Sequence, residues 1–519
     1  MSRRPSTPPP SSTGPAIPRP AASTSGRSGR GVLHQATVRP DHRGRTHPDP
    51  RDDPPTETLD PANARTERLR EVADDTDRFP VVTAEPPDAA PEAAEAPPAP
   101  AGRRSDGLAL ALCSLLGSLA GFLSWLVAAR IMTTTEVGNA QLVVSAFILI
   151  GGAAQLNIGI GLMRWLPGAG RHTGRLAWRA LLLVMPLSAV VGLVYALITP
   201  RLASISAGAD GAPGVGMLVF VLACAGWGAF ALHDFLLVAV GKPWWAVWRN
   251  GLFAVVRIGL LVALGVAGLG AYGVVLSWVG PLVVGTVLGS ALIAVLTRRI
   301  SARADGGVVP TRAEVVAFLG PTAVSQVGAA LLYNQVPVMV NVRFGPETGA
   351  VFFIAWQAVM VIDLAAAFFM NSLAVAVARE PHRRAELAAA ARRRLLLLFL
   401  PALALGAALA TPLLSIFGGA YAEADDVLRL LLLGLAFRLV VAHELGVRQA
   451  VGWALGFARL QLLSTVLVLV VAIVVPVAGG GVAALLPVAI GYVAVQVVCA
   501  AAVLAFPASR RADVEVPSP

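Results

Sequence analysis

Charged side chains are scarce in this 519-residue chain. Asp, Glu, Lys and Arg make up 14% of it and hydrophobic residues 56%, whereas soluble domains carry about 25% charged residues. From Gly107 onward, apolar stretches of about 20 residues follow one another, and each is long enough to cross a bilayer as a helix. The composition therefore predicts an all-α integral membrane protein and excludes an ordinary soluble domain.

Lysine is nearly absent, since Lys242 is the single lysine among 41 basic residues. The formal net charge is +10, and such a balance has two explanations, nucleic-acid binding or the positive-inside bias of membrane proteins. The arginines of the apolar region cluster in the loops between the apolar stretches. The membrane explanation is therefore favoured, and we expect no nucleic-acid partner.

Cysteine and catalytic motifs are also sparse. The three cysteines, Cys113, Cys224 and Cys499, lie far apart in apolar stretches, so neither a disulfide framework nor a metal site is indicated. The sequence contains no Walker A loop, no GxSxG and no HExxH motif. It therefore gives no support to an ATPase, a serine hydrolase or a zinc protease, and it predicts a protein that is not an enzyme and needs no cofactor.

Residues 1–104 differ from the rest of the chain. They are rich in Pro, Ser, Ala, Arg and Asp, so they are expected to form a disordered cytoplasmic tail, with one short helix over 62–79. No apolar segment of signal-peptide type begins the chain. The tail is either a docking segment for other proteins or a dispensable extension.

The apolar region predicts about twelve transmembrane helices, which we number spans 1 to 12. Their predicted ranges are 107–129, 141–163, 177–198, 215–240, 251–269, 271–296, 315–340, 350–376, 395–416, 428–447, 458–478 and 481–506. Spans 1 to 6 would form one lobe, residues 105–300, and spans 7 to 12 a second lobe, residues 301–507. A short cytoplasmic tail, 508–519, would follow.

Loop arginines predict the orientation. The even-numbered loops and the C-terminus hold 20 basic residues, whereas the odd-numbered loops hold four. Because basic loops stay in the cytoplasm, both chain ends are predicted to be cytoplasmic.

Four arginines lie inside apolar spans or at their ends, where charged residues are rare in membrane proteins. Arg257 and Arg438 fall inside apolar spans, and Arg130 and Arg164 lie at the ends of two others. A charge at the middle of a membrane helix costs roughly 2.5–3.5 kcal/mol on insertion scales, so such residues mark internal cavities and ligand sites. Together they predict a positively charged cavity that binds an anion, although Arg164 is equally explained as an interfacial residue.

The titratable residues His233, Asp234 and Asp363 also lie within the spans. Asp234 could neutralise Arg257 from the neighbouring helix or act with His233 in ion coupling. Asp363 is either a cation or proton site or the partner of a buried arginine. Arg438 has no acid on its own helix face and is the first candidate to contact an anionic group.

Spans 7 and 8 are the most polar. Gln326 and Asn334 lie on one side of span 7, where Pro337 interrupts the backbone, and Gln357 and Asn371 share a face of span 8. Interrupted, polar helices at membrane depth are typical of transport sites. These four side chains are predicted to donate and accept hydrogen bonds with a substrate.

The two halves carry a weak repeat. Span 1 ends with Arg130 and is followed by Glu136-Val-Gly138, while span 7 ends with Arg343 and is followed by Glu347-Thr-Gly349. An arginine, a short loop with a glutamate and a glycine thus recur at the start of each half. Two repeated six-helix halves are the usual plan of secondary transporters.

Three stretches carry a family resemblance: the hairpin Trp125–Gly138, the segment from Asp234 through Gly241-Lys-Pro-Trp to Arg257, and the turn Phe417-Gly-Gly-Ala-Tyr-Ala-Glu-Ala. Together with twelve spans they resemble the multidrug/oligosaccharidyl-lipid/polysaccharide flippase superfamily, in particular its polysaccharide-export branch.

The resemblance implies an inverted V of two six-helix lobes around a cationic cavity. It implies flipping of a polyprenyl-pyrophosphate-linked oligosaccharide across the bacterial inner membrane for cell-surface polysaccharide biosynthesis. Membrane lipids and, through the tail, polysaccharide-assembly proteins would be partners.

Two rivals remain. A drug or cation antiporter of the same superfamily would depend on Asp234 and Asp363. A membrane glycosyltransferase would depend on external acids, of which the sequence offers Glu347, Glu423, Asp425 and Asp426.

Overall fold

The computed structural model describes residues 102–208, 211–477 and 479–506, with side chains from Leu116 onward except that of Ala378. The predicted tail up to residue 101, its helix over 62–79 and the C-terminal segment 508–519 lie outside the described residues, as does the side chain of Cys113. Within the described part of the chain the secondary structure is helical throughout and contains no strand.

Each of the twelve predicted spans corresponds to a helix or to an interrupted pair of helices. Their bounds are Gly102–Ile131, Thr134–Ala154 with Ile158–Trp165, Thr173–Ile198, Pro213–Ala239, Pro243–Val266, Gly270–Arg303, Arg312–Ala330 with Val336–Phe344, Pro346–Arg379, Arg384–Ala408, Asp425–Ala450, Ala454–Val474 and Leu486–Ala505. Short helices over Pro200–Ala207, Ala410–Ser415 and Gly419–Ala422 lie in the connections after spans 3 and 9.

Among the described residues, ten of these helices are long and apolar enough to cross a membrane. Span 1 adds the apolar stretch Leu116–Ile131. Span 9 begins with arginines, including Arg392, Arg393 and Arg394, and becomes uniformly apolar only from Leu395. The prediction of an all-α membrane protein with about twelve spans is confirmed.

Span 2 begins earlier than the sequence predicted. Residues 134–140 were expected to form a loop, yet helix Thr134–Ala154 includes them. The reason is a capping box, in which the Thr133 hydroxyl accepts a hydrogen bond from the Glu136 backbone and the Glu136 carboxylate accepts from the Thr133 backbone. Both groups satisfy amides that the first helical turn would leave unpaired.

Span 2 is also broken, which the sequence did not predict. Leu156 and Asn157 adopt φ angles of 46° and 59°, a left-handed region that side chains other than glycine seldom enter. A new helix starts at Ile158. Span 7 is also interrupted, by a π-helical segment, Leu331–Gln335, ahead of Pro337.

The two lobes repeat the same packing scheme. Span 1 packs on span 5 as span 7 packs on span 11, and span 2 packs on span 4 as span 8 packs on span 10. Spans 3 and 6 flank span 4 as spans 9 and 12 flank span 10. The described chain therefore forms two pseudo-symmetric six-helix lobes, in which spans 4 and 10 occupy the centres.

The lobes meet where spans 2, 7 and 8 have their predicted external ends, a contact we call the lobe seam. Asn341 donates a hydrogen bond to the Gly138 carbonyl at 2.7 Å and another to the Gln141 side chain at 3.2 Å. Gly138 lies directly against the carbonyl of Pro346, and Gly349 lies against Asn341. Gly138 thus allows the close approach of the lobes, and Gly349 allows the close packing of spans 7 and 8 within the second lobe.

Burial along span 8 changes at mid-length. Residues 349–356 are all buried, whereas beyond them exposed side chains recur on one face at Val361, Ala365, Phe368, Asn371 and Val375. Span 2 behaves similarly, because residues 140–147 are all buried and Ile160 and Arg164 are exposed. The lobes are therefore in contact around their predicted external ends and leave faces of both helices uncovered toward the opposite side.

The lobe seam should not tolerate a methyl group at Gly138. In Gly138→Ala the new Cβ would overlap the Pro346 carbonyl, so the lobes must shift, and we expect a loss of about 1–3 kcal/mol in the free energy of unfolding. Thermal unfolding of the purified protein measures this.

Gly152→Ala is the matched control on the same span, because its Cβ would meet nothing within 4 Å. It should keep or slightly raise the stability through helix propensity. Equal stability of the two variants would contradict the seam.

Candidate functional site

The core of the first lobe contains a cluster of aromatic rings. Trp278 of span 6 lies 5.9 Å from Phe147, 6.0 Å from Trp227 and 6.3 Å from Phe253, measured between ring centroids. Phe230 joins the cluster at 4.8 Å from Phe253. These rings, from spans 2, 4, 5 and 6, present their faces to two arginines of span 5.

Arg257 lies against the Trp278 side of this cluster. Its guanidinium carbon is 4.1 Å from the Trp278 centroid and 5.4 Å from that of Phe253, and the residue is 4% exposed. Its Nε and Nη2 atoms are buried without a hydrogen-bond partner among the described residues. Stacking on aromatic faces compensates part of the charge but none of these donors, so the two donors of Arg257 stay without a partner among the described residues.

Asp234 does not neutralise Arg257, contrary to one of the two expectations from the sequence. It forms an ion pair with Arg249, whose Nη2 lies 2.6 Å from the Asp234 carboxylate. Asn250 donates a further hydrogen bond to the same carboxylate at 2.9 Å. Arg249 also lies 3.8 Å above the ring of Phe230, so it occupies the opposite side of the aromatic cluster from Arg257.

His233 belongs to the same network and is fully buried. Its Nδ1 lies 3.2 Å from Arg249 and its Nε2 lies 3.2 Å from the Ser290 hydroxyl. Because the guanidinium can only donate, Nδ1 accepts and the proton sits on Nε2, which donates to Ser290. His233 therefore ties span 4 to spans 5 and 6 as a neutral side chain.

Arg438 lies in the core of the second lobe and has an acidic partner from another helix. Its Nε donates to the Asp363 carboxylate at 2.8 Å, and both side chains are less than 5% exposed. The Tyr333 hydroxyl donates to the second oxygen of Asp363 at 3.1 Å. Of the two roles that the sequence left open for Asp363, the geometry matches the partner of a buried arginine.

The pairing reverses the ranking that the sequence favoured. Arg438, the first candidate from sequence, is neutralised by Asp363, whereas Arg257, which Asp234 could have neutralised, has no ion pair with a described residue. Glu444 and Arg448 pair within span 10, where their i, i+4 spacing places both side chains on one helix face. Asp234 and Asp363 are thus each paired with an arginine, whereas Arg257 has no acidic partner among the described residues.

The two repeated arginines at the predicted external ends bond to backbone carbonyls. Arg130 donates to the Ile416 carbonyl at 2.7 Å, which crosses from the first lobe to the second. Arg343 donates to the carbonyls of Ala472 and Val475, both at 2.7 Å, within the second lobe. Such bonds satisfy carbonyls that have no partner at helix ends. Arg130 therefore contributes to closing the lobe contact.

The other predicted substrate contacts are spread over the faces between the lobes. Arg164 is exposed, with its guanidinium 4.8 Å from the ring of Phe318 on span 7. Gln326, Asn334 and Gln357 are half-buried and Asn371 is exposed. Asn334 uses its amide within its own helix, on the Ala330 carbonyl. The structure does not bring these polar residues into one cluster with Arg257.

Arg249 and Trp278 are the site residues that sequence reasoning missed. Arg249 belonged to the basic residues of the predicted cytoplasmic side and to the stretch from Asp234 to Arg257, but no partner was predicted for it, and Trp278 was not singled out. The spacing of Asp234 and Arg249 across one tight helical hairpin was the available signal for the ion pair. No comparable signal joins Trp278 to Arg257.

These features define a multi-pass helical membrane protein with two repeated lobes. Its fold is that of the MATE family of transporters in the MOP superfamily. The chain is similar to a multidrug resistance MATE family transporter in an inward-facing conformation, with a TM-score of 0.56, 17% identity, and coverage of 77% of this chain and 96% of that one.

A second neighbour is a MATE protein in a straight conformation, with a TM-score of 0.50, 16% identity, and coverage of 80% of this chain and 96% of that one. At these identities the likeness establishes the fold. No protein-family model and no curated protein matches the sequence significantly.

Removing the acid of the buried ion pair should be costly. Asp363→Asn leaves the charge of Arg438 uncompensated in the second lobe, and we expect a loss of about 3–5 kcal/mol in stability. The double variant Asp363→Leu with Arg438→Met removes both charges and should recover most of that loss. Thermal unfolding of the purified variants provides the measurement.

Asp426→Asn serves as the comparison, because its partner Arg429 is substantially exposed and surface ion pairs contribute about 1 kcal/mol or less. A double variant at positions 363 and 438 that is no more stable than Asp363→Asn would refute the pairing argument.

Proposed function

We propose that this protein is a transporter that carries an anionic, lipid-linked substrate across the membrane by alternating access between its two lobes. The substrate class that fits best is a polyprenyl-pyrophosphate-linked oligosaccharide used in bacterial cell-surface polysaccharide biosynthesis. The resemblance of three sequence stretches to the polysaccharide-export branch and the fold shared with MATE family transporters support this proposal.

The single observation that carries the proposal is Arg257. A guanidinium at 4% exposure with two unpartnered donors is expensive to keep in a membrane protein unless an anionic ligand binds there. Arginine also suits pyrophosphate better than other cations, because its planar donors match two phosphate oxygens at once. Arg257 would therefore hold the pyrophosphate group.

The uncovered faces of spans 2 and 8 would receive the remainder of the substrate. Phe368 and Val361 offer apolar surface for a polyprenyl chain, while Asn371 and Gln357 offer amides to sugar hydroxyls. Gln326, Asn334 and Arg164 would extend this polar lining from the facing helices. Arg130 and the neutralised Arg438 would support the architecture of the pathway rather than bind the charge.

The state described would face the predicted cytoplasm. Contacts at the lobe seam, together with the Arg130 bond to Ile416, hold the predicted external ends together. Transport would require these contacts to break while the opposite ends close. The breaks at Leu156–Asn157 and Leu331–Gln335 provide points where spans 2 and 7 can change direction during such a movement.

A cation or drug antiporter with the same fold is the principal alternative. Such a protein needs an acid that is free to bind a cation, with His233, Asp234 or Asp363 in that role. Arg249 already pairs with Asp234 and Arg438 with Asp363, and Arg249 contacts His233. The surplus interior charge is positive, which favours an anionic substrate over a cationic one.

A membrane glycosyltransferase would need external acids available for catalysis. Asp425 and Asp426 instead bind Arg429, at 3.0 and 2.7 Å, and Thr411 donates to Asp425 at 2.5 Å. Two of the four external acids are thereby occupied. A glycosyltransferase is accordingly the weaker proposal, and the protein is proposed not to be an enzyme.

Replacing Arg257 should reduce transport without reducing stability. In Arg257→Gln we expect transport of a polyprenyl-pyrophosphate-linked sugar to fall about tenfold to a hundredfold, because a charged hydrogen bond contributes about 1.5–3 kcal/mol. The assay is appearance of the labelled lipid-linked sugar on the opposite leaflet of proteoliposomes. The unfolding temperature should stay equal or rise, because a buried unpaired charge is removed.

Arg393→Gln is the matched control, since Arg393 is exposed on the same predicted side of the membrane and its loss should leave transport unchanged. Wild-type transport by Arg257→Gln would contradict the proposal. A variant that loses stability and transport together would indicate a structural role for Arg257.

A further inference from the structure

A cleft of about 140 Å³ lies at the predicted cytoplasmic side, away from the site described above. Its lining residues are His172, Arg175, Leu176, Arg179 and Val309. Arg175, Leu176 and Arg179 belong to the start of span 3, and His172 directly precedes it. Val309 belongs to the linker 304–311, which connects the two lobes. The volume is several times the roughly 30 Å³ that a water molecule occupies in the liquid.

The linker is attached to the first lobe beside this cleft by its backbone. The Arg171 amide donates to the Gly306 carbonyl at 2.8 Å, and the Val308 amide donates to the Gly168 carbonyl at 3.0 Å. Gly170 and Gly307, both with positive φ, lie in direct contact at this crossing. The linker therefore forms a fixed wall of the cleft.

The surface of the cleft is mostly apolar, and the residues that line it carry positive charge that is not balanced by a described acid. Arg175 and Arg179 are four residues apart on one helix face, and His172 lies one turn before them. Neither arginine forms an ion pair with a residue that the structure describes. Asp305, on the linker, is exposed and does not line the cleft.

Apolar surface lies next to these charges. Val308 is 79% exposed and Trp178, between the two arginines, is 37% exposed. Tryptophan at the end of a membrane span typically lies at the headgroup level. Basic side chains beside exposed tryptophan and valine match a lipid headgroup, which carries acyl chains, better than a free phosphate ion.

We propose that the cleft between the start of span 3 and the linker 304–311 binds the phosphate group of an anionic membrane lipid and thereby attaches the linker to the membrane surface. The linker joins the lobes, so lipid binding would restrain their relative movement. The binding itself does not depend on the transport proposal, whereas an effect on transport rate does.

The test measures lipid binding to the full-length protein in detergent by native mass spectrometry. Phosphatidylglycerol is compared with phosphatidylcholine of the same acyl chains. The double variant Arg175→Gln with Arg179→Gln should bind phosphatidylglycerol at least about tenfold more weakly, since each basic residue near an anionic surface contributes about 1 kcal/mol. Binding of phosphatidylcholine should be unchanged.

The control is the double variant Arg393→Gln with Arg394→Gln, which removes the same charge from exposed positions of span 9. It should bind phosphatidylglycerol as the wild type does. An equal loss in both double variants would overturn the proposal, because binding would then follow net charge. Unfolding temperatures of all variants establish that each remains folded.

Two further measurements distinguish the proposed lipid from other occupants of the cleft. Displacement of phosphatidylglycerol by an equal concentration of inorganic phosphate would assign the cleft to a free phosphate and overturn the lipid proposal. The acidic tail stretch 52–99, with 13 acids against four arginines, is a protein alternative. Unchanged lipid binding in Arg175→Gln with Arg179→Gln, together with faster proteolysis of that stretch, would assign the cleft to the tail.

Discussion

The high free energy of a charge buried in a membrane protein is the constraint on which this structure depends. Two interior acids have an arginine partner on another helix, Asp234 with Arg249 and Asp363 with Arg438. The pairs hold the centre of each lobe together, because they join span 4 to span 5 and span 8 to span 10. Arg257 has no such partner among the described residues, and an anionic ligand would balance its charge.

Close backbone contact complements the charges at the lobe seam. Gly138 lets helices from the two lobes approach so closely that Asn341 can reach the Gly138 carbonyl, and Gly349 lets span 8 pack closely on span 7 beside this contact. Membrane helices associate through such small residues and polar bonds, since burial of apolar groups drives no association within lipid. Among the described residues the seam has few polar bonds, which would suit the opening and closing that the proposed transport requires.

The spans could be predicted from sequence because apolar length alone specifies a membrane helix. The repeat around Gly138 and Gly349 was also visible. The partners of the arginines were not predictable, because Asp363 and Arg438 lie 75 residues apart and hydropathy does not reveal which helix faces face each other. The break at Leu156 and Asn157 was equally hidden, since neither glycine nor proline marks it.

Binding of lipids that differ only in their head group tests the central claim most directly. The purified protein and Arg257→Gln would be titrated with polyprenyl pyrophosphate and with the uncharged polyprenol of the same length. The account predicts that the wild type binds the pyrophosphate more tightly, that added salt weakens this preference, and that Arg257→Gln loses it. An undiminished preference in Arg257→Gln would contradict the account, because the anion would then be held elsewhere.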